Sequence, residues 1–344
     1  MRHLSTTIKA TFWIAVLSFF LFSFFQIGRT ITKARIPQPG APAELYSTQT
    51  RDDLKLTFSQ AINEAENSVL LIIYSLKDSK IIQALKKKSE ERINVEVICD
   101  TEASRGVARK LGSKVKTSLC KGKGLMHQKI LVIDNKKVWI GSANMTPTSL
   151  RWHNNLVTGL QSPKLAANIK EKAHIMIEEG RVRPVTTEDF NVGDQKAEMW
   201  FLPDNPTGAY RIRQLFRTAQ KTIRIAMFTW TRLDFADDIV KAQKRGLDIQ
   251  VAIDAQSGGG VSAKVVERLQ NGGVPVRLSK GGPLLHYKFM VIDDRILVNG
   301  SANWTKAAFT QNDDCFIILY DLTEDQQQFL DNLWSVIREE STLL

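Results

Sequence analysis

This chain is written twice, and no other feature constrains its fold as strongly. Residues 68–76 (SVLLIIYSL) and 93–100 (INVEVICD) return as 222–230 (TIRIAMFTW) and 247–254 (LDIQVAID), at a constant offset of 154. Between the two apolar runs lies a helix-like segment, IIQALKKKSEER in one copy and DDIVKAQKRG in the other. Another precedes them, LTFSQAINEAEN and YRIRQLFRTAQK. Strand-length apolar runs alternating with amphipathic segments predict an α/β sandwich in each half, its sheet covered by helices. Duplication also lets two groups of one kind face each other across a pseudo-two-fold axis.

The repeat is strictest at 127–144, HQKILVIDNKKVWIGSAN, and 286–303, HYKFMVIDDRILVNGSAN, both of the form H-x-K-x4-D-x6-G-S-A-N. One H-x-K arises by chance; two copies with the same aspartate and the same GSAN at identical spacing do not. In extended chain, alternate residues face one side, so His127 and Lys129 point together, as do His286 and Lys288. A histidine attacks phosphorus or donates a proton near neutral pH, and a neighbouring lysine supplies positive charge to non-bridging phosphate oxygens. The Ser142 and Ser301 hydroxyls and the Asn144 and Asn303 amides are neutral donors expected to complete a phosphate-binding cradle. The candidate catalytic set is therefore His127, Lys129, Asp134, His286, Lys288 and Asp293. Within it, Asp134 and Asp293 end apolar strands and read more readily as supports for the turns that follow.

These paired motifs resemble those of the phospholipase D superfamily, and the resemblance covers nearly all of residues 45–340. It implies two similar α/β sandwich halves related by pseudo-two-fold symmetry, both motifs converging on one site complete in a monomer. It also implies phosphodiester cleavage through a phosphohistidine, without metal or other cofactor. Twenty-eight residues after each histidine stand Asn155 and Asp314. The resemblance implies that each orients the histidine of its own half. On that basis a carboxylate beside His286 favours the imidazolium and a general-acid role, while an amide leaves His127 neutral and nucleophilic. Tyrosyl-DNA phosphodiesterase shows a similar amide and acid asymmetry.

Other features bear on substrate and location. Residues 12–27 are apolar from Phe12 to Phe25 with few interruptions and are flanked by basic side chains on both sides. They read as a single-pass N-terminal membrane anchor, with a cleaved signal peptide and export as the alternative. IPQPGAPA (36–43) reads as a stiff linker. The expected divisions are 1–44 (anchor and linker), 45–197 (first domain) and 198–344 (second domain). Net charge is +11, distributed as +4, +8 and −1 over those segments. A field of this kind attracts phosphate-rich partners, lipid or nucleic acid alike.

Three distant cysteines exclude a disulfide framework. His153 reads as a rim residue, His174 as structural, and Trp139, Trp152, Trp230 and Trp304 as core by default. The glycine-rich runs 121–125 and 279–285 read equally as turns or as close-approach loops. Intact motifs argue against a non-catalytic binding protein. The expected activity is hydrolysis of phospholipid headgroups to phosphatidic acid. A membrane-anchored metal-independent nuclease and a cardiolipin synthase-like phosphatidyl transferase are the alternatives.

Overall fold

The computed structural model describes residues 11–20, 34–50, 52–120, 124–177 and 188–344. The chain divides into two compact units, 1–35 and 36–344. In the first, residues 11–20 are helical and leave Phe12, Trp13, Ile14, Leu17, Phe19 and Phe20 exposed. Among the described residues no helix is long and apolar enough to cross a membrane. The expected span over 12–27 runs past residue 20, outside the described residues.

The second unit contains two mixed sheets. The first takes β1 (Glu44–Ser47), β2 (Ser68–Ile73), β3 (Asn94–Asp100), β4 (Lys116–Cys120), β5 (Lys129–Ile133), β6 (Lys137–Gly141) and β7 (Leu156–Gln161). The second begins with β8 (Glu188–Val192) and β9 (Gln195–Leu202), ahead of the boundary expected at 198. It continues with β10 (Thr222–Met227), β11 (Asp248–Ile253), β12 (Val276–Ser279) and β13 (Lys288–Ile292). It ends with β14 (Ile296–Gly300), β15 (Asp314–Leu319) and β16 (Ser341–Leu343). The orders are β1-β7-β6-β5-β2-β3-β4 and β16-β12-β11-β10-β13-β14-β15-β9-β8. Without its edge strands β16 and β8, the second order is the first repeated.

In each sheet three parallel strands (β2-β3-β4 or β10-β11-β12) adjoin an antiparallel meander. The parallel pairs need crossover helices, Ser79–Glu90 and Leu233–Lys244, which are the helix-like segments of the repeat. Asp78 starts the first of these by accepting from the backbone N–H of Lys80 and Ile81.

Strand alternation decides where the core lies. Phe289, Val291, Leu297, Cys315, Ile317 and Leu319 of the second sheet join the core of the first half. Met290, Ile292, Val298, Phe316 and Ile318, one residue out of phase, pack beneath their own helices. The halves are thus joined by a continuous apolar layer. Gly141 and Gly300 of the GSAN turns mark the tightest approaches to backbone: a Cβ there would lie 2.3 Å from the carbonyl oxygens of Leu156 and Cys315 respectively.

Candidate active site

Each histidine lies just before a buried strand, and its backbone is tied to the opposite half. The His127 N–H donates to Asp313 O at 2.8 Å, and the Asp313 N–H donates to Leu125 O at 2.9 Å. The His286 N–H donates to Asn154 O at 3.0 Å, and the Asn154 N–H to Leu284 O at 2.9 Å. Behind each histidine a strand-end carboxylate fixes the approach. Asp100 Oδ2 accepts from the Met126 N–H at 3.2 Å, and Asp254 Oδ2 accepts from the Leu285 N–H at 3.1 Å. The histidines are consequently held by both halves at once.

The side chains cross over as well, and this corrects the expectation that each orienting residue serves its own half. Asp314 Oδ1 lies 2.8 Å from Nδ1 of His127, and Asn155 Oδ1 lies 3.0 Å from Nδ1 of His286. Because the Asp313 and Asn154 backbones bridge to the other half, the next side chain is delivered there too. Asn155 spends its amide N–H groups on the carbonyls of Ser149 (2.8 Å) and His153 (3.0 Å). Its oxygen must therefore accept the Nδ1 proton of His286. An ionised Asp314 can only accept, so His127 also carries its proton on Nδ1. In both rings the Nε2 lone pair remains for chemistry.

The electrostatics follow from burial. Burial, reinforced by the charges of Lys129 and Lys288, lowers the pKa of His127 despite the opposing pull of Asp314. His286, buried, near both lysines and lacking a carboxylate, is lowered well below the ordinary histidine value. The expectation that His286 rests as an imidazolium relied on a carboxylate beside it, and the structure puts an amide there instead. Burial of Asp314 raises its proton affinity, but His127, Lys129 and Ser301 together outweigh it and hold the carboxyl below its usual range. Burial pushes Lys129 down to about 7 and Lys288 well below its normal value. Each ammonium turns back to the carbonyl of its own motif histidine, at 2.8 Å for Lys288 to His286 O.

Two further expectations change. The Ser142 and Ser301 hydroxyls do not face a phosphate cradle. Ser142 donates to Asn155 Oδ1 (2.9 Å) and accepts from the Leu156 N–H (3.2 Å). Ser301 donates to Asp314 Oδ1 (2.7 Å) and accepts from the Cys315 N–H (3.0 Å). Both are wholly buried and hold the orienting residues. Asn144 and Asn303 are half-buried, and their carboxamide oxygens have no hydrogen-bond partner among the described residues.

Asp134 and Asp293 leave the catalytic set. Asp134 accepts from the backbone N–H groups of Glu66, Asn67 and Ser68, and Asp293 from those of Gln220, Lys221 and Thr222. Each is also the first of two turn residues with positive φ, Asp134-Asn135 and Asp293-Asp294, closing the β5–β6 and β13–β14 hairpins one residue earlier than expected. Each lies five positions beyond its motif lysine, about 16 Å along the strand at the usual rise.

Some site residues escaped the sequence reading. Tyr74 meets the His127 ring edge-on with centroids 5.1 Å apart, and Lys129 Nζ lies 5.0 Å from the Tyr74 centroid. Phe228 stands tilted against His286 with centroids 5.0 Å apart, and Lys288 Nζ lies 4.9 Å from the Phe228 centroid. These aromatics, like Asp100 and Asp254, stand at equivalent repeat positions, and that equivalence was the available signal. His153, expected at the rim, has its ring centroid 6.0 Å from that of His286. Trp139, Trp230 and Trp304 are core, whereas Trp152 is exposed. All three cysteines are buried. Part of the first glycine-rich run, 121–123, lies outside the described residues.

Residues 58–177 and 212–336 match the family described as "Cardiolipin synthase, PLD-like domain". The chain belongs to this phospholipase D-like family. Among relatives of this family member is the mitochondrial cardiolipin hydrolase of Chlamydomonas reinhardtii, 31% identical over 136 residues. That match covers 39% of this chain and 60% of the relative, so the chain spans less than two thirds of that relative's length. The virion nicking-joining enzyme of vaccinia virus is 30% identical over 166 residues, covering 44% of this chain and 37% of the viral protein. The solved phosphatidylserine synthase of Haemophilus influenzae superposes with a TM-score of 0.70 at 14% identity, over 90% of this chain and 89% of its own. It shares the fold.

Proposed function

We propose that this chain is a metal-independent phosphodiesterase of the phospholipase D type, held at a membrane by its N-terminal apolar segment and cleaving phospholipid headgroups to phosphatidic acid. The crossed clamp carries the reading: two buried imidazoles, each with its proton fixed on Nδ1, between two buried lysines. Nε2 of His127 attacks phosphorus, and Asp314 stabilises the positive charge that the ring gains. The bond from phosphorus to the leaving oxygen breaks as His286, protonated on Nε2, gives that oxygen a proton. An arriving phosphodiester anion favours this, because negative charge beside His286 and both lysines raises their proton affinity. Asn155, lacking charge, leaves His286 a ready donor. Water then attacks the phosphohistidine, His286 takes its proton, the phosphorus–nitrogen bond breaks and His127 is restored. Lys129, Lys288, Asn144 and Asn303 are the groups assigned to the non-bridging oxygens. The two halves, the second beginning ahead of β8, complete this site in a monomer.

The relatives named cardiolipin hydrolases support a lipid substrate, as does the exposed apolar surface of helix 11–20. A tether raises the local concentration of bilayer substrate. A nuclease is the second reading, favoured by the +8 charge of 45–197 and by the viral nicking-joining relative. The test assays the full chain in detergent, with EDTA, on mixed phospholipid vesicles and on single-stranded DNA and RNA. Phosphatidic acid should be released at a rate unchanged by EDTA. Cleavage of oligonucleotides alone would transfer the site to the second reading. Full loss in EDTA, restored by one divalent ion, would overturn the mechanism.

A further inference from the structure

The two histidines are nearly equivalent by symmetry, but their immediate neighbours are not. At matching positions stand His153 and Asn312, whose backbone N–H groups make the same bond, to Thr148 O (3.1 Å) and Ala307 O (2.9 Å). The Asn312 side chain is committed: its oxygen accepts from the Leu125 N–H at 3.0 Å and its amide N–H donates to Asp314 at 3.4 Å. The side chain at this position, in the half that serves His127, is thus occupied by the chain's own contacts.

His153 differs in every respect that matters for a ligand. Its carbonyl is fixed by Thr48 Oγ1 at 2.8 Å and by the Asn155 amide at 3.0 Å, so the backbone that carries it is held in place. Its ring is half-buried and 6.0 Å from that of His286, and its nitrogens make no hydrogen bond among the described residues. Beside it, Trp152 is 66% exposed. Resting on the proposed function, in which attack comes from His127, in-line displacement places the leaving oxygen on the His286 side. The water or alcohol that resolves the phosphohistidine enters on that side as well. We infer that His153 is a specificity-determining residue that contacts the leaving alcohol and then the incoming acceptor.

The chemistry fits a hydroxyl better than an anion. Burial, with the nearby charge of Lys288, lowers the proton affinity of His153, so at neutral pH the ring offers one donor and one acceptor. A hydroxyl needs both. The committed Asn312 side chain offers no such pair, so the asymmetry also sets the direction in which an acceptor enters.

The test uses the full chain in detergent, a nitrophenyl phosphodiester as substrate, and glycerol as a competing acceptor. Nitrophenolate leaves without protonation, so its burst reports attack by His127 alone. His153→Ala should keep that burst within about 3-fold while changing the ratio of glycerol transfer to hydrolysis by about 5-fold or more. His153→Asn, which copies the second half, should restore the ratio in part because it keeps one donor and one acceptor. An unchanged ratio in both variants overturns the inference. So does an equal loss of burst and turnover, which would make His153 a support for His286. No nitrophenolate release from the unmutated protein would instead overturn the hydrolase reading, and this inference with it.

Discussion

The two halves share a strand order, a motif and a hairpin turn, yet they deliver different groups across their interface. The second half gives His127 a carboxylate; the first gives His286 an amide. The first half places a tyrosine against its histidine where the second places a phenylalanine. Beside His286 the rim carries the uncommitted ring of His153, while beside His127 the Asn312 side chain is tied inward. The fold is symmetric and the chemistry is polar. A handful of side-chain differences, at positions that the symmetry makes equivalent, suffice to assign different work to two copies of one motif.

The sharpest way to break that comparison is to remove the histidines one at a time. His127→Ala should abolish turnover, about 10⁴-fold or more, and form no covalent adduct with any substrate, since nothing replaces the attacking nitrogen. His286→Ala should still react with a nitrophenyl diester and then stall, accumulating a phosphohistidine on His127 visible by mass spectrometry after rapid quenching. An adduct on His286 in the His127→Ala protein would reverse the assignment.

The next effect comes from exchanging the orienting groups. Asp314→Asn gives both histidines an amide and should lower kcat about 10²- to 10⁴-fold, because the charge gained by His127 loses its partner. It should also move the ascending limb of the pH–rate profile to lower pH, since His127 without a carboxylate binds its proton less tightly. Asn155→Asp should act in the opposite sense on His286. A carboxylate raises its proton affinity, so the descending limb, where the acid is lost, should move to higher pH. A shift of the descending limb in Asp314→Asn and of the ascending limb in Asn155→Asp would instead show that the clamp is not crossed in solution.

The smallest effect on activity should come from the feature the halves share most closely. Asp134→Ala and Asp293→Ala each strand three backbone N–H groups and should cost about 2–3 kcal/mol of stability, read as a lower Tm. In the protein that remains folded, kcat should stay within about 3-fold. A kcat loss of 10³-fold at unchanged Tm would return these aspartates to the catalytic set.

Much of this molecule was legible because it is local. Apolar periodicity, helix-like segments and the GSAN turns depend on neighbours a few residues apart, and a repeated pattern doubles the signal. The repeat thus announced two equivalent sheets and the paired His-x-Lys motifs. Asp134 and Asp293 could be suspected as turn supports because a strand-end aspartate before a turn is a local arrangement too.

What could not be read was the traffic between the halves. Asp314 reaches His127 across 187 residues and Asn155 reaches His286 across 131. No spacing within one copy shows that the strand-like bridges at Met126–Asp313 and Asn154–Leu285 exchange them. The serines of GSAN looked like phosphate donors because a hydroxyl's partner is chosen by whatever packs against it, here the orienting residue of the same half. The sequence by itself determined two copies of one α/β unit and the residue types able to handle a phosphodiester. Only the tertiary structure decided which histidine has the carboxylate and which the open neighbour, because pKa and hydrogen-bond partnership are set by burial and through-space contacts, to which position along the chain is no guide.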